Sequence, residues 1–301
     1  MPFIDAAIYC FAANFVAPAH QQNRKTKRMP ASINNDWRKL AVVIYRKPHD
    51  SKIFGSVELD VTDVEAYIQA KRRDGLKITL THIFMLALSR GIRQETPELN
   101  CYVRRGRIIQ RDSVDVSLSV LVGDGQQLTT VKVAGAENLT LQELSAGLQT
   151  AIQNARNLQR ADAKQAKDVV ARIPWPLRQW VVDLVKWLMN TWGVSLPFLG
   201  VSPGSFGSFV LSNLGSIGLD IGYPALAPFS NVAMVVAQGS VSTKPVVVEG
   251  QVVPRRMITI SGAVDHRVVD AAQIGRLFSY VRRILKTPGV LEEKPVPSSE
   301  S

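Results

Sequence analysis

Apolar and polar residues alternate in short runs along much of the chain and recur at helical spacing in the rest. From Ser56 to Val61, SVELDV alternates as a half-buried strand does, and Thr62 opens an apolar-periodic stretch that predicts a helix to about Arg73. Thr79 and Thr81 stand as caps before a second predicted helix, His82 to Glu95, which Pro97 closes. Tyr102 to Arg111 reads as a hairpin turning at Arg105-Gly106. Val114 to Val122 and Leu128 to Val133 read as strands on either side of an Asp124-Gly125 turn. Thr140-Leu141-Gln142-Glu143 is a capping box and predicts a helix to about Asn157. Four strand-like stretches follow residues 160–203: Ser208 to Ser212, Val232 to Gln238, Pro245 to Val253 with a turn at Glu249-Gly250, and Met257 to Val264. Ile274, Leu277, Phe278, Val281, Ile284 and Leu285 then mark one face of a last helix, ended by Pro288. Strands and helices in this irregular alternation predict an α/β fold, a mixed sheet with flanking helices.

Two stretches stand outside this pattern. Residues 1–36 are read as an N-terminal extension, either a disordered arm or the product of a start codon upstream of Met29-Pro30. The apolar run from Ala6 to Ala19 has its basic cluster after it rather than before it, the wrong polarity for a secretory signal, and is too short to span a bilayer. Residues 160–203 hold four of the five tryptophans, Trp175, Trp180, Trp187 and Trp192. Between Leu177 and Trp192, Gln179, Asp183, Lys186 and Asn190 fall on one helical face, and Trp180, Leu184, Trp187 and Leu188 on or beside the other. That apolar face must be covered by the rest of the domain, by another subunit, by a bound acyl group, or by a peripheral membrane contact through 174–200. Glycines and prolines between Trp187 and Leu219 rule out a single spanning helix there.

With 301 residues, 46% hydrophobic and 20% charged, the chain has the composition of a packed globular protein. Its net charge of +11 invites an anionic partner. The basic clusters, Arg24 to Arg28, Lys71 to Arg73 and Arg104 to Arg107, carry few interleaved aromatics and no nucleic-acid motif, so nucleic acid is not the expected partner. Cys10 and Cys101 form no CxxC pair and suggest no disulfide framework or zinc site, which suits a reducing compartment such as the cytoplasm. No metal is expected.

Of the four histidines, His20, His49, His82 and His266, only the last is placed like a catalyst, in VDHRVVDAA between a strand and a helix. Strand ends hold a side chain rigidly and still expose it to a cleft, and an imidazole is suited to general-base work near neutral pH. Asp270, four residues on, fixes this loop or neutralises Arg267, or else simply caps the last helix by accepting from Ala272 or Gln273. His82 reads as a first-turn residue of its helix, and His20 and His49 as exposed loop residues.

The segment MITISGAVDHRVVDAAQIGRLFSYVRRILKTP resembles the carboxyl-terminal signature of the dihydrolipoyl acyltransferase component of 2-oxoacid dehydrogenase complexes, in which a strand runs into DHRxxDG and a long helix. The resemblance continues upstream, in order, through KPVVVEGQVVPRRMITIS, VAMVVAQGS, FVLSNLGSIGLD, RIIQRDSVDVSLSV, PELNCYV and HIFMLALSRGI, and covers about Arg38 to Pro288 apart from 160–203. It implies a chloramphenicol-acetyltransferase-like fold over residues 37–289 that assembles as a homotrimer, with channels between subunits. Coenzyme A is then a substrate that enters one end of the channel, a thiol acceptor enters the other, and no cofactor is permanently bound. His266 would take the proton from the attacking thiol. Ser212 of LSNLG, from the neighbouring subunit, would donate to the tetrahedral oxyanion, and Asn213 and Gly215 would line the channel. Asp270 would orient the loop, and Arg38 would pair with it. Read without the resemblance, Ser-Asn-Leu-Gly is an ordinary strand-to-turn transition.

The sequence also departs from the family's pattern. The channel-lining Gly-Leu-x-x-Pro-Val stretch is here GDGQQLTTVKV, and the glycine after the signature aspartate is Ala271, so the resemblance does not carry lipoamide specificity. The 37 residues before Arg38 are too few for a lipoyl or peripheral-subunit-binding domain, so neither is expected ahead of the core. The tail, 290–301, is polar where the large shells of the complexes use an apolar terminus, which leads us to expect isolated trimers. The expected function is a stand-alone coenzyme A-dependent acyltransferase with a thiol, amine or hydroxyl acceptor. The alternatives are a noncatalytic trimeric scaffold, or a catalytic core served by a lipoyl domain on another chain.

Overall fold

The structure, a computed structural model, describes residues 51–122, 127–158, 177–194, 204–226 and 230–295. The chain divides into two units, Met1–Ser32 and Ile33–Ser301, and all described residues belong to the second. The expectations placed on Arg38, His20, His49, Cys10 and the Asp124-Gly125 turn lie outside the described residues.

In chain order the elements are β1 (Lys52–Asp60), α1 (Thr62–Arg73), α2 (Leu80–Gln94), β2 (Cys101–Arg104), β3 (Arg107–Gln110), β4 (Val116–Val122), β5 (Gln127–Val133), α3 (Leu141–Leu158), α4 (Leu177–Trp187), β6 (Phe209–Asn213), β7 (Met234–Val248), β8 (Gln251–Asp265) and α5 (Ala271–Lys286). Six strands form one sheet in the order β1-β8-β7-β6-β4-β5, and β2 and β3 form a separate hairpin. β4, β6 and β7 run parallel and the remaining neighbours antiparallel, which is the mixed sheet the sequence predicts.

The core lies between the sheet and α2, which is buried from Ile83 to Ile92 because its sequence, IFMLALSRGI, offers water almost no polar face. α5 crosses it through Leu277 and Tyr280. They come so close that a Cβ at Gly91 would meet the Leu277 side chain at 2.7 Å, so this mid-helix glycine is demanded by packing. The one buried cation of α2, Arg90, donates to carbonyls through its two terminal nitrogens: they reach Leu139, Val290 and Glu293 and so staple the chain after α5 onto the core.

The stretches expected as separate strands after Val232 merge into two of 15 residues each, β7 and β8. The gap read between Gln238 and Pro245 opens with a bulge, where the ladder shifts register between Gln238 and Val241 and the Asp220 carbonyl leaves no room for a Cβ at Gly239. Pro245 and Pro254 face each other beyond Met257, where β1 has stopped pairing, so neither removes a hydrogen bond from a strand flanked on both sides. The turn at Glu249-Gly250 is as expected: both residues have positive φ, 50° and 80°, as a two-residue hairpin of matching twist requires.

Candidate active site

β8 ends at Asp265, whose N–H donates to Ala233 just before β7, and the chain then turns so that the N–H groups of Val268 and Val269 return to the Asp265 carbonyl. His266 sits at the top of this turn, its own N–H donating to Ser51 at 2.6 Å. The residues on either side of it close on each other. Arg267 donates through Nε and Nη2 to the Asp265 carboxylate at 2.9 and 2.5 Å, and its backbone N–H donates to the same group at 3.0 Å. Both side chains are buried. This corrects the expectation that Asp270 neutralises Arg267: the turn after β8 brings the Arg267 N–H and guanidinium back onto the Asp265 carboxylate.

Asp270 is engaged elsewhere. It is the N-cap of α5 in a reciprocal box, its side chain accepting from the Gln273 N–H while its own N–H donates to Gln273 Oε1 at 3.0 Å. Its Oδ1 also lies 3.2 Å from Nδ1 of His266, and the Val269 carbonyl lies 2.9 Å from the same nitrogen. Both neighbours of Nδ1 are acceptors, so Nδ1 carries the proton and Nε2 is the basic nitrogen. The imidazole is 31% exposed and held at Nδ1.

A second cluster forms at the carboxyl end of β6. Ser212 pairs with Ala237 of β7 and Ser119 of β4, and its hydroxyl takes no partner among the described residues. Asn213 is fixed: it donates through Nδ2 to the Thr81 hydroxyl at 3.2 Å and accepts at Oδ1 from the Ser216 N–H, while Thr81 donates to Gln238 Oε1. Thr81, Asn213 and Gln238 line a cavity of about 220 Å³ with Arg72 and Glu65 at its rim. Gly215, two residues on, packs against the bulge of β7, where a Cβ would lie 2.6 Å from the Gly239 carbonyl. Sequence reading did not find Thr81 and Gln238 as the residues that set Asn213. They are 157 residues apart and carry no shared motif.

Within one chain these clusters do not meet. Ser212 is level with Ala237 and so with Ser261, two strands away. His266 lies five residues beyond Ser261, roughly 16 Å along the strand and on the order of 10 Å across the sheet. No substrate carbonyl reaches both side chains of one subunit.

His82 has the structural part expected of it. With Thr79 as N-cap, its Nδ1 accepts from the Thr79 N–H at 3.2 Å, taking the place that Glu or Gln usually has in a capping box, and Thr81 lies inside the helix. Burial, aided by Arg72, pushes its pKa down to about 4. The unfolded chain binds this proton near the ordinary value of about 6.5, so the stability His82 contributes is complete above that pH and is lost as pH falls towards 4. Over that window wild type is expected to lose up to about 3 kcal/mol relative to His82→Gln, which keeps the box but does not titrate. Urea unfolding at a series of pH values measures this, and superimposable curves for the two proteins contradict it.

The family model for the catalytic domain of 2-oxoacid dehydrogenases acyltransferases matches residues 49–169 and 204–292, which include both clusters. The chain belongs to that family. The match leaves out residues 170–203. The lipoamide acyltransferase component of the branched-chain alpha-keto acid dehydrogenase complex of Bacillus subtilis (strain 168) is 24% identical over 237 residues, 77% of this chain and 46% of that protein. The chain spans about half the length of the curated relatives it matches. Among solved structures, the probable dihydrolipoamide acetyltransferase of Listeria monocytogenes 4b F2365 superposes with a TM-score of 0.58 at 16% identity, over 88% of this chain and 96% of that one. The dihydrolipoamide acetyltransferase of Azotobacter vinelandii, investigated for the roles of a serine, a histidine and an asparagine in its catalytic mechanism, superposes with a TM-score of 0.57 at 16% identity, over 91% and 99%. These two share the family's mixed sheet with flanking helices.

Proposed function

We propose that the protein is an acyltransferase that moves an acyl group between coenzyme A and a thiol acceptor, with His266 as general base and Ser212 of a neighbouring copy as oxyanion donor. The observation that carries this reading is the pinning of Nδ1 between Val269 O and Asp270 Oδ1, which leaves Nε2 to receive a proton. A thiol with an ordinary pKa near 8.5 is mostly protonated at neutral pH, so a base held in place raises the reactive thiolate. Nε2 takes the thiol proton, and the thiolate attacks the thioester carbonyl. The resulting oxyanion accepts from the Ser212 hydroxyl. Collapse expels the second thiolate, which recovers the proton from the imidazolium. Asp270 faces Nδ1 and stabilises the cation between these steps.

The separation of the two clusters supports an assembly in which one subunit supplies the histidine and the next the serine. The exposed apolar side chains that follow Ser212, Ile217, Leu219, Ile221 and Tyr223, suit a subunit contact at that end. We read the assembly as the trimer that the family resemblance implies, with coenzyme A as substrate rather than resident cofactor. In the Azotobacter vinelandii protein the asparagine stands four residues after the histidine, the separation of Asp270 from His266. The test is release of free coenzyme A from a panel of acyl-coenzyme A thioesters with dihydrolipoamide and simple amines as acceptors. Turnover that His266→Ala abolishes supports the reading; a folded assembly that turns over no pair contradicts it.

Asp270→Asn separates the charge of this residue from its cap. Asparagine caps a helix about as well as aspartate, so stability is expected to stay within about 0.5 kcal/mol. The Val269 carbonyl still holds Nδ1–H, so the tautomer survives and kcat falls by only about tenfold, through loss of the charge facing the imidazolium. A loss as large as that of His266→Ala would mean that Asp270 alone sets the ring.

A further inference from the structure

The segment that the family model passes over, residues 170–203, carries α4, and α4 presents an apolar stripe to solvent. Leu177 is 60% exposed, Trp180 76%, Leu184 55% and Trp187 49%, at the i, i+3, i+7, i+10 spacing of one helix face. A single π turn, Leu188–Trp192, continues the helix to Gly193, and Trp192 is 54% exposed. An apolar face of this extent is not left in water by a soluble protein without use.

The chemistry beside it identifies the occupant. The tip of the β2–β3 hairpin is joined to the end of this helix: Arg105 Nε donates to the Thr191 carbonyl at 3.0 Å, its guanidinium lies 4.4 Å over the Trp192 ring, and Trp192 meets Trp187 edge to face at 5.9 Å. Arg105 and Arg107 are exposed. The hairpin tip holds Arg104, Arg105 and Arg107 within four residues and no acid between them. Aliphatic and indole side chains in a stripe, bordered by cations, match the boundary between acyl chains and anionic headgroups, where an indole buries its ring and keeps its N–H wet. A second copy of the same face would set these cations against one another. No described helix is long and apolar enough to cross a membrane, so α4 would lie on the surface rather than span it.

We propose that α4 and the tip of the β2–β3 hairpin form a docking surface for an anionic lipid bilayer, with Trp180, Leu184 and Trp187 entering the headgroup boundary and Arg105 and Arg107 meeting lipid phosphates. The proposal does not depend on the acyltransferase reading. The test is co-sedimentation of the full chain with vesicles of phosphatidylcholine alone and of phosphatidylcholine containing phosphatidylglycerol, at low and high salt, with tryptophan emission recorded alongside. Wild type is expected to sediment with the anionic vesicles, to shift its emission to the blue, and to be released by salt. Arg105→Glu/Arg107→Glu and Trp180→Ser/Leu184→Ser are each expected to weaken binding at least about tenfold, since each cation at such a surface is worth about 1 kcal/mol. All of these side chains are exposed, so the variants keep the fold. Failure to sediment with anionic vesicles overturns the proposal, as does equal binding to neutral vesicles. A drop in particle mass by light scattering for Trp180→Ser/Leu184→Ser also overturns it, because another copy would then be what covers the stripe.

Discussion

His266→Ala is expected to lower the rate of coenzyme A release by about 10²–10⁴-fold while leaving the fold intact. The imidazole contributes little to packing: it is half-buried, and the turn that carries it is held by backbone hydrogen bonds from His266, Val268 and Val269 and by the Asp265–Arg267 pair. Removing the ring therefore removes the base and leaves the loop. Its loss should appear in kcat more than in KM, because the proton moves only on the way to the transition state. The measurement is steady-state release of the free thiol, with circular dichroism as the control for folding. A variant that keeps wild-type kcat on every active substrate pair would remove His266 from the mechanism.

Arg267→Ala is expected to destabilise the domain by about 3–5 kcal/mol, the cost typical of stripping one partner from a buried ion pair. Asp265 would be left with a carboxylate that is almost wholly buried and retains only the backbone N–H of the three groups through which residue 267 donates to it. A like-sized loss is expected for Asp265→Ala, and the double variant should lose less than the sum, since it leaves no unpaired charge. Urea unfolding of the three variants measures this. Additive losses would show that the two side chains do not act as a pair. Because the pair brackets His266, a partial loss of activity in folded Arg267→Ala is expected as well.

Local chemistry was legible in the sequence wherever it was completed within a few residues. The hairpin at Arg105-Gly106 and the box from Thr140 to Glu143 form as read, the latter with Thr140 N–H donating to Glu143 at 2.9 Å. α5 and its cap at Asp270 also follow from spacing alone. β7 and β8 were cut short because proline and glycine normally end strands, and nothing in VAQGSVSTKP tells a bulge from a turn. The two prolines are tolerated only because neighbouring strands have stopped beside them. The site was legible in part. His266 and Ser212 stand at strand ends, where a cleft is expected, and the family resemblance singled them out. The Asp265–Arg267 pair had a signal that was passed over, two opposite charges at i, i+2 just past a predicted strand. The Thr81–Gln238–Asn213 chain had none, since only the fold brings these residues together. The amphipathic character of α4 was legible, and the cations that border it became visible only when the β2–β3 hairpin was seen against its end.

The central claim is that one subunit's His266 works with another subunit's Ser212. It is tested most directly by mixing. Ser212→Ala is expected to cost about 10²–10³-fold by itself, as removal of an oxyanion donor does. Subunits of Ser212→Ala and His266→Ala, co-expressed with different tags and purified through both, should regain up to about a third of wild-type activity, because each mixed trimer reunites an intact histidine with an intact serine at one of its three shared sites. Activity no higher than that of the two single variants, in mixed assemblies shown to contain both chains, would contradict the account.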